Sequence, residues 1–204
     1  YAVLADKGYF EKDLLYTLNK PGTLLPSHTD MKLTPGVDMT AGSLGQGFSC
    51  AVGIAYGARL SNDGAFTFAM LGDGESQEGQ VWEAAMCAAQ HKLDHLIAFT
   101  DYNKIQLDGW VENINDLAPL DDKWRAFRWN VIEVADGHDI EEIDNAVAEA
   151  KKNRGKPTMI ILNTVKGKGV TLCENNMIGS HSMTISKEQH RHALEELKGG
   201  VLLA

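Results

Sequence analysis

The sequence predicts an α/β fold: an open, mostly parallel sheet with helices on both faces, in three layers. Three observations carry that expectation. Short apolar runs rich in aliphatic and aromatic residues alternate with longer runs of good helix formers. The run Met159-Ile160-Ile161-Leu162 has no polar interruption, as a strand covered on both faces requires. Glycine-containing turns follow the apolar runs, at the carboxyl ends of strands where open α/β sheets gather ligands.

Taken in order, the chain opens with a helical segment, Phe10 to Leu18, and passes through a proline-containing loop. Leu33 to Gly47 is a glycine-rich turn, and Phe48 to Leu60 reads as a helix whose small residues permit close packing. Ala65 to Leu71 is a short apolar strand, after which Gly72 and Gly74 allow a sharp turn and hold Asp73 at the strand's carboxyl end. Gln80 to His91 is helical, and His95 to Thr100 returns as a second strand ending in Asp101-Tyr102-Asn103. The geometry of such a βαβ unit brings Asn103 back beside Asp73. Asn130 to Val134 and Thr158 to Thr164 complete the strands. Between them, Ile140 to Asn153 is amphipathic, with Ile140, Ile143, Val147 and Ala150 on one side and Asp139 with Glu142 as a capping pair. A last helix covers Lys187 to Leu197, and neither repeats nor an interdomain linker divide the chain.

The 204 residues, 44% of them hydrophobic, are enough to bury one sizeable core as a single domain spanning 1–204. A formal charge of -9 and a pI near 5.2 argue against nucleic acid as a partner, and no basic stripe offsets them. No apolar run is long enough to span a membrane, and the first residues lack a signal pattern. Cys50, Cys87 and Cys173 are odd in number and far apart, so they read as reduced core cysteines of a cytoplasmic protein. His190 and His192 lie two apart on a helix and face different ways, which excludes a metal cluster with His181.

The stretch from Gly72 to Asn103 suits a magnesium diphosphate. Magnesium takes near-octahedral oxygen ligands from one or two carboxylates, phosphates and water. Asp73, the amide oxygen of Asn103 and the backbone carbonyl of Ile105 would leave positions for diphosphate oxygens and a water. Gly-Asp-Gly alone reads as a common turn; the whole strand-helix-strand unit is what favours the metal site. Dinucleotide binding is excluded by the glycine spacing of Gly42 to Gly47, and the Lys166 to Thr171 run lacks the spacing of a nucleoside-triphosphate loop.

With these residues in view, the chain resembles the thiamine-diphosphate enzymes, and among them the transketolases, particularly the separate amino-terminal subunit of those split into two chains. Asp73, Asn103 and Ile105 match the family's metal motif. Leu33 to Gly47, Asp136 to Asp139, Lys156 to Val170 and Gly179 to His181 follow in the family's order and span nearly the whole chain. The resemblance implies cofactor contacts at Gly42, Ser43, Leu44, Gly72, Asp73, Gly74, Glu75, Asn103, Ile105 and His181. Asp73, Asn103 and Ile105 would hold Mg²⁺, or Ca²⁺ or Mn²⁺ in its place. His181 and His28 would be the catalytic positions that meet substrate, although histidines in polar loops are otherwise simply solvated. Glu78, an ordinary helix-start residue on its own terms, would lie at a subunit interface. A turn and a cap explain Asp136 to Asp139 apart from His138, and the motif stands outside the site.

By the same resemblance the chain is the thiamine diphosphate-binding domain of a transketolase, moving a two-carbon ketol unit from a ketose phosphate to an aldose phosphate, as in the pentose phosphate pathway. The family's pyrimidine-binding domain and its catalytic glutamate are expected on a separate partner chain, in a heterotetramer or dimer. The family's amino-terminal segment has no counterpart before Tyr1. Three alternatives stand beside this reading: an α-type subunit of a 2-oxoacid dehydrogenase, a transketolase-like enzyme for an unusual sugar, and a non-catalytic scaffold subunit.

Overall fold

The computed structural model describes residues 1–201. Its centre is a four-stranded, fully parallel sheet built from β1 (Thr67–Gly72), β2 (Leu96–Tyr102), β5 (Asn130–Val134) and β6 (Thr158–Asn163), in the order β1-β2-β6-β5. The remaining strands, β3 (Ile105–Gln106) and β4 (Gly109–Trp110), form a two-residue antiparallel hairpin directly after β2. Helices α2 (Gln46–Ser61), α3 (Gly79–Gln90) and α5 (Leu120–Ala126) cover one face, and α6 (Ile140–Ala150) covers part of the other. Shorter helices lie at α1 (Ala2–Asp6), α4 (Val111–Asn115) and α7 (Thr171–Glu174), and α8 (Lys187–Val201) closes the described chain.

The period-2 alternation of a strand sorts each apolar run onto two cores. Leu96, Ala98, Met159 and Ile161 point toward α2, α3 and α5. Ile97, Ile160, Leu162 and Val134 meet Ala146 and Ala150 of α6. Helices α2 and α3 approach the sheet through alanines, and a nest of rings fills the space beyond them. Trp82, Trp124 and Trp129 lie with centroids 4.9 to 5.0 Å apart along the chain of contacts, and Phe48 stands 6.1 Å from Trp124, edge to face. On the second face α6 packs mainly on β5 and β6, and β1 is the sheet's edge. Phe68 and Met70 there are 50% and 63% exposed.

Several expectations need adjusting. Phe10 to Leu18 holds only a six-residue 3₁₀ segment, Lys12–Thr17, without a buried residue to reward a longer helix. Helix α6 stops at Ala150, short of Asn153, because Asn153 turns its side-chain amide to Lys156 O and Thr158 Oγ1. The cysteines are not core residues: Cys87 is exposed, and Cys50 and Cys173 are half-buried. In α3 the buried side belongs to Val81, Ala84, Ala85, Ala88 and Ala89, which turns Cys87 outward.

Candidate functional site

Parallel pairing decides where the ligand-bearing residues emerge. Gly72 pairs with Asp101, and the Asp73 N–H donates to the Asp101 carbonyl at 3.2 Å, so the loops after β1 and β2 leave the sheet side by side. Contact between them is close: a Cβ on Gly74 would lie 2.7 Å from Cβ of Gln106. Asp73 sits between these loops and is only 1% exposed. Its Oδ2 accepts the Lys104 N–H at 2.6 Å and its Oδ1 accepts the Gly74 N–H at 2.7 Å.

No side-chain cation pairs with that carboxylate among the described residues. Burial therefore dominates and raises its pKa from 3.8 to about 6; the two backbone N–H donors pull it back, while the charge of Asp101 adds to the rise. Each Asp73 oxygen keeps a further lone pair. Asn103 Oδ1 accepts the Ile105 N–H at 2.9 Å, folding the loop so that Asn103 and Ile105 stand together in the same cleft. An oxygen-only donor set with one buried, unneutralised negative charge fits a hard divalent cation.

A second loop is fastened to the first by Glu75. Its Oε1 accepts the N–H of Gly45 at 2.8 Å and its Oε2 accepts that of Gly72 at 3.3 Å. Gly45 is buried with φ 81°, a conformation that glycine takes without steric cost, at the start of α2. Nearby, Gln80 Nε2 donates to Ser49 Oγ at 2.9 Å, tying α3 to the first turn of α2. Gly42, with φ 140°, lies against His28, whose Cδ2 is where a Cβ would clash.

One cleft of about 770 Å³ is lined by His28, Gly42, Leu44, Gly72, Asp73, Gly74, Glu75, Asn103, Ile105 and His181. Ser43 falls outside it and lines the adjoining groove between α2 and β1, which shares Gly42, Leu44 and Glu75 with the cleft. Glu78 also lines the cleft and is exposed; as the residue before α3 it makes no side-chain capping bond. Lys166 is a lining residue that the sequence reasoning missed. Its Nζ lies 3.1 Å from His181 Nδ1. An ammonium can only donate, so Nδ1 accepts and the His181 hydrogen resides on Nε2. The signal was present in Lys166-Gly167-Lys168-Gly169, a lysine beside two glycines at a strand's carboxyl end.

Known proteins resemble the chain along nearly its whole length. Residues 1–198 match the family described as transketolase, thiamine diphosphate binding domain. A 6-deoxy-6-sulfo-D-fructose transketolase subunit from a Clostridium species is 56% identical over 97% of this chain and 71% of its own length. An apulose-4-phosphate transketolase subunit from Actinobacillus succinogenes is 41% identical over the same shares of the two chains, 97% and 71%. Among solved structures, transketolase from Campylobacter jejuni superposes with a TM-score of 0.84 at 30% identity, covering 91% of this chain and 30% of that longer one.

Proposed function

This chain belongs to the transketolase family, whose thiamine diphosphate-binding domain it matches over residues 1–198, and on that premise we propose that it is the diphosphate-binding subunit of a split transketolase. Asp73, Asn103 and the Ile105 carbonyl would hold the magnesium ion, with calcium or manganese as substitutes. Gly72, Gly74, Glu75, Gly42, Ser43 and Leu44 would shape the cofactor site. His181 and Lys166 would face the diphosphate and substrate, and His28 the sugar. Thiamine diphosphate, when bound, supplies the nucleophilic carbon and the electron sink of ketol transfer.

The chain's own residues orient and neutralise. Asp73 contributes a carboxylate that burial has already stripped of water, so its attraction for a cation is stronger than in solvent. Lys166 brings a positive charge toward anionic oxygens, and the His181 Nε2–H is available to a sugar or phosphate oxygen. A partner chain would add the pyrimidine-binding domain and the glutamate that activates the cofactor, in a heterotetramer or dimer. Relatives named as transketolase subunits support this division. We place the assembly in the cytoplasm; among the described residues no helix is long and apolar enough to cross a membrane.

The donor is a ketose with an anionic terminal group. Relatives named for 6-deoxy-6-sulfo-D-fructose and apulose 4-phosphate make a sulfonated ketose the first donor to test and apulose 4-phosphate the second. Activity on common ketose phosphates alone would place the enzyme in the pentose phosphate pathway instead. The observation that carries the proposal is the buried Asp73 carboxylate, with no side-chain cation paired to it among the described residues, beside Asn103 in the cleft. Calorimetry on the chain purified with its partner should show magnesium-dependent thiamine diphosphate binding, lost in Asp73→Ala, together with two-carbon transfer. Cofactor binding that is indifferent to both magnesium and Asp73→Ala would sink the assignment. No binding at all in the unaltered assembly would leave the scaffold reading.

A further inference from the structure

The Asp136–Asp139 turn is not exhausted by its capping role. Asp139 Oδ1 caps α6 by accepting the N–H groups of Glu141 at 2.8 Å and Glu142 at 3.2 Å. Asp136 accepts the His138 N–H at 2.9 Å, and its own N–H donates to Glu142 Oε2 at 3.1 Å. Gly137 presses its backbone on the end of β6. Its N–H donates to the Asn163 carbonyl at 2.8 Å, and a Cβ there would lie 2.6 Å from Thr164 Cγ2. None of these contacts uses the His138 imidazole.

That ring has a partner 27 residues away: Nε2 accepts the N–H of Val165 at 2.8 Å. The ladder of β6 ends at Asn163, paired with Tyr102; the Thr164 N–H still reaches the Tyr102 carbonyl at 3.5 Å, and the next donor, the Val165 N–H, needs another acceptor. Val165 begins the turn that carries Lys166. Gly167 and Gly169 within that turn have φ of 81° and 91°; its far end is held by the Gly169 N–H on Glu174 Oε1 at 2.7 Å, which leaves the Val165 end to His138. Lys166 then reaches His181 in the cleft at 3.1 Å. His138 and Lys166 also line a neighbouring cavity that shares Asp101 and Asn103 with the cleft.

We propose that His138 is a positioning residue: its neutral imidazole anchors the Val165–Gly169 turn and so delivers Lys166 to His181 at the diphosphate and sugar end of the cleft. The consequence for ligands rests on the function proposed above; the anchor itself does not. The test uses His138→Ala, His138→Gln, Lys166→Met and His138→Ala with Lys166→Met, each purified with the partner chain. Amide hydrogen exchange is read across residues 163–170, alongside the Kd for thiamine diphosphate and the KM for the sugar donor.

His138→Ala should speed exchange at Val165 and weaken ligand affinity about three- to tenfold, the scale of one lost hydrogen bond, with kcat less affected. His138→Gln, whose amide oxygen can accept the same N–H, should recover much of both. In the Lys166→Met background, His138→Ala should cost little more, since the two act in series. Unchanged exchange in His138→Ala would overturn the anchor. Faster exchange with unaltered affinity, or losses that simply add to those of Lys166→Met, would overturn the positioning role. Failure of the unaltered assembly to bind thiamine diphosphate would overturn the functional reading, and the anchor would then stand or fall on exchange alone.

Discussion

At Asp73 burial and charge oppose each other in a way that pH should reveal. With a folded-state pKa of about 6 against 3.8, the folded chain keeps this proton over a range where the unfolded chain has released it. Stability of the metal-free protein should therefore fall as pH rises from about 4 to about 6 and stay at the lower level above that. A divalent cation reverses the preference, so metal-linked stabilisation should grow across the same window. Urea unfolding of chelator-treated protein at several pH values checks this, with Asp73→Asn as the control. The variant should lack this part of the pH dependence and lose metal-dependent cofactor binding. Glu75 is a different kind of site residue, because both its oxygens are engaged by backbone N–H groups of separate loops. Glu75→Ala leaves two N–H donors without an acceptor and should weaken cofactor binding about tenfold or more, with a smaller loss for Glu75→Gln. Equal affinities in Glu75→Ala and the unaltered protein, measured by calorimetry, would remove Glu75 from the site. Lys104 carries the backbone cost of a non-glycine residue at φ 70° while its N–H holds Asp73 Oδ2. Its Nζ stands 2.9 Å from the centre of the Tyr102 ring, and burial lowers its pKa.

Among the elements, α6 separates capping from function. Asp139→Ala removes the side-chain acceptor at its amino end and should lower stability by about 1 kcal/mol, without changing cofactor affinity. Denaturant unfolding beside calorimetry distinguishes this from the effect at His138, one residue earlier. The turn after β6 is more demanding. At Gly167 a Cβ would lie within 2.4 Å of Cys173 Cβ, and φ is 81°. Gly167→Ala should therefore displace the turn and reduce ligand affinity more than stability, since little core depends on it. These elements also mark where sequence reading stops. The capping of α6 by Asp139 was legible because it is local, spanning three residues; Glu142 does not complete the pair, since its Oε2 accepts the Asp136 N–H while the Asp139 N–H goes to the Asp136 carbonyl. In α3 the side facing the sheet was not legible, because a run of alanines and small apolar residues gives no sharp stripe, and nothing local shows that Cys87 turns outward. Phe10 to Leu18 shortens to a 3₁₀ segment for the related reason that propensity without a burying partner does not sustain a helix.

For the molecule as a whole, the two faces of the sheet differ in how they are closed. Beneath α2, α3 and α5 the rings of Phe48, Trp82, Trp124 and Trp129 form one nest, and Trp124 is fully buried. Trp124→Ala should cost about 3 to 5 kcal/mol in global stability, measured by denaturant unfolding, and should lower activity only through the fraction unfolded. A selective loss of cofactor affinity at undiminished stability would contradict the separation of core and site. The sequence by itself determined the α/β class, the four parallel strands and the meeting of Asp73 with Asn103. Apolar runs, glycine turns and one strand-helix-strand crossover are properties of neighbouring residues, and the handedness of the crossover does the rest. Only the tertiary structure decided that Asp73 is buried with no side-chain cation paired to it among the described residues, that Glu75 joins Gly45 to Gly72, and that His138 reaches Val165 while Lys166 reaches His181. Burial is a sum over all surrounding atoms, and these hydrogen bonds join loops brought together by the register of the sheet, neither of which is written in the spacing of the residues concerned.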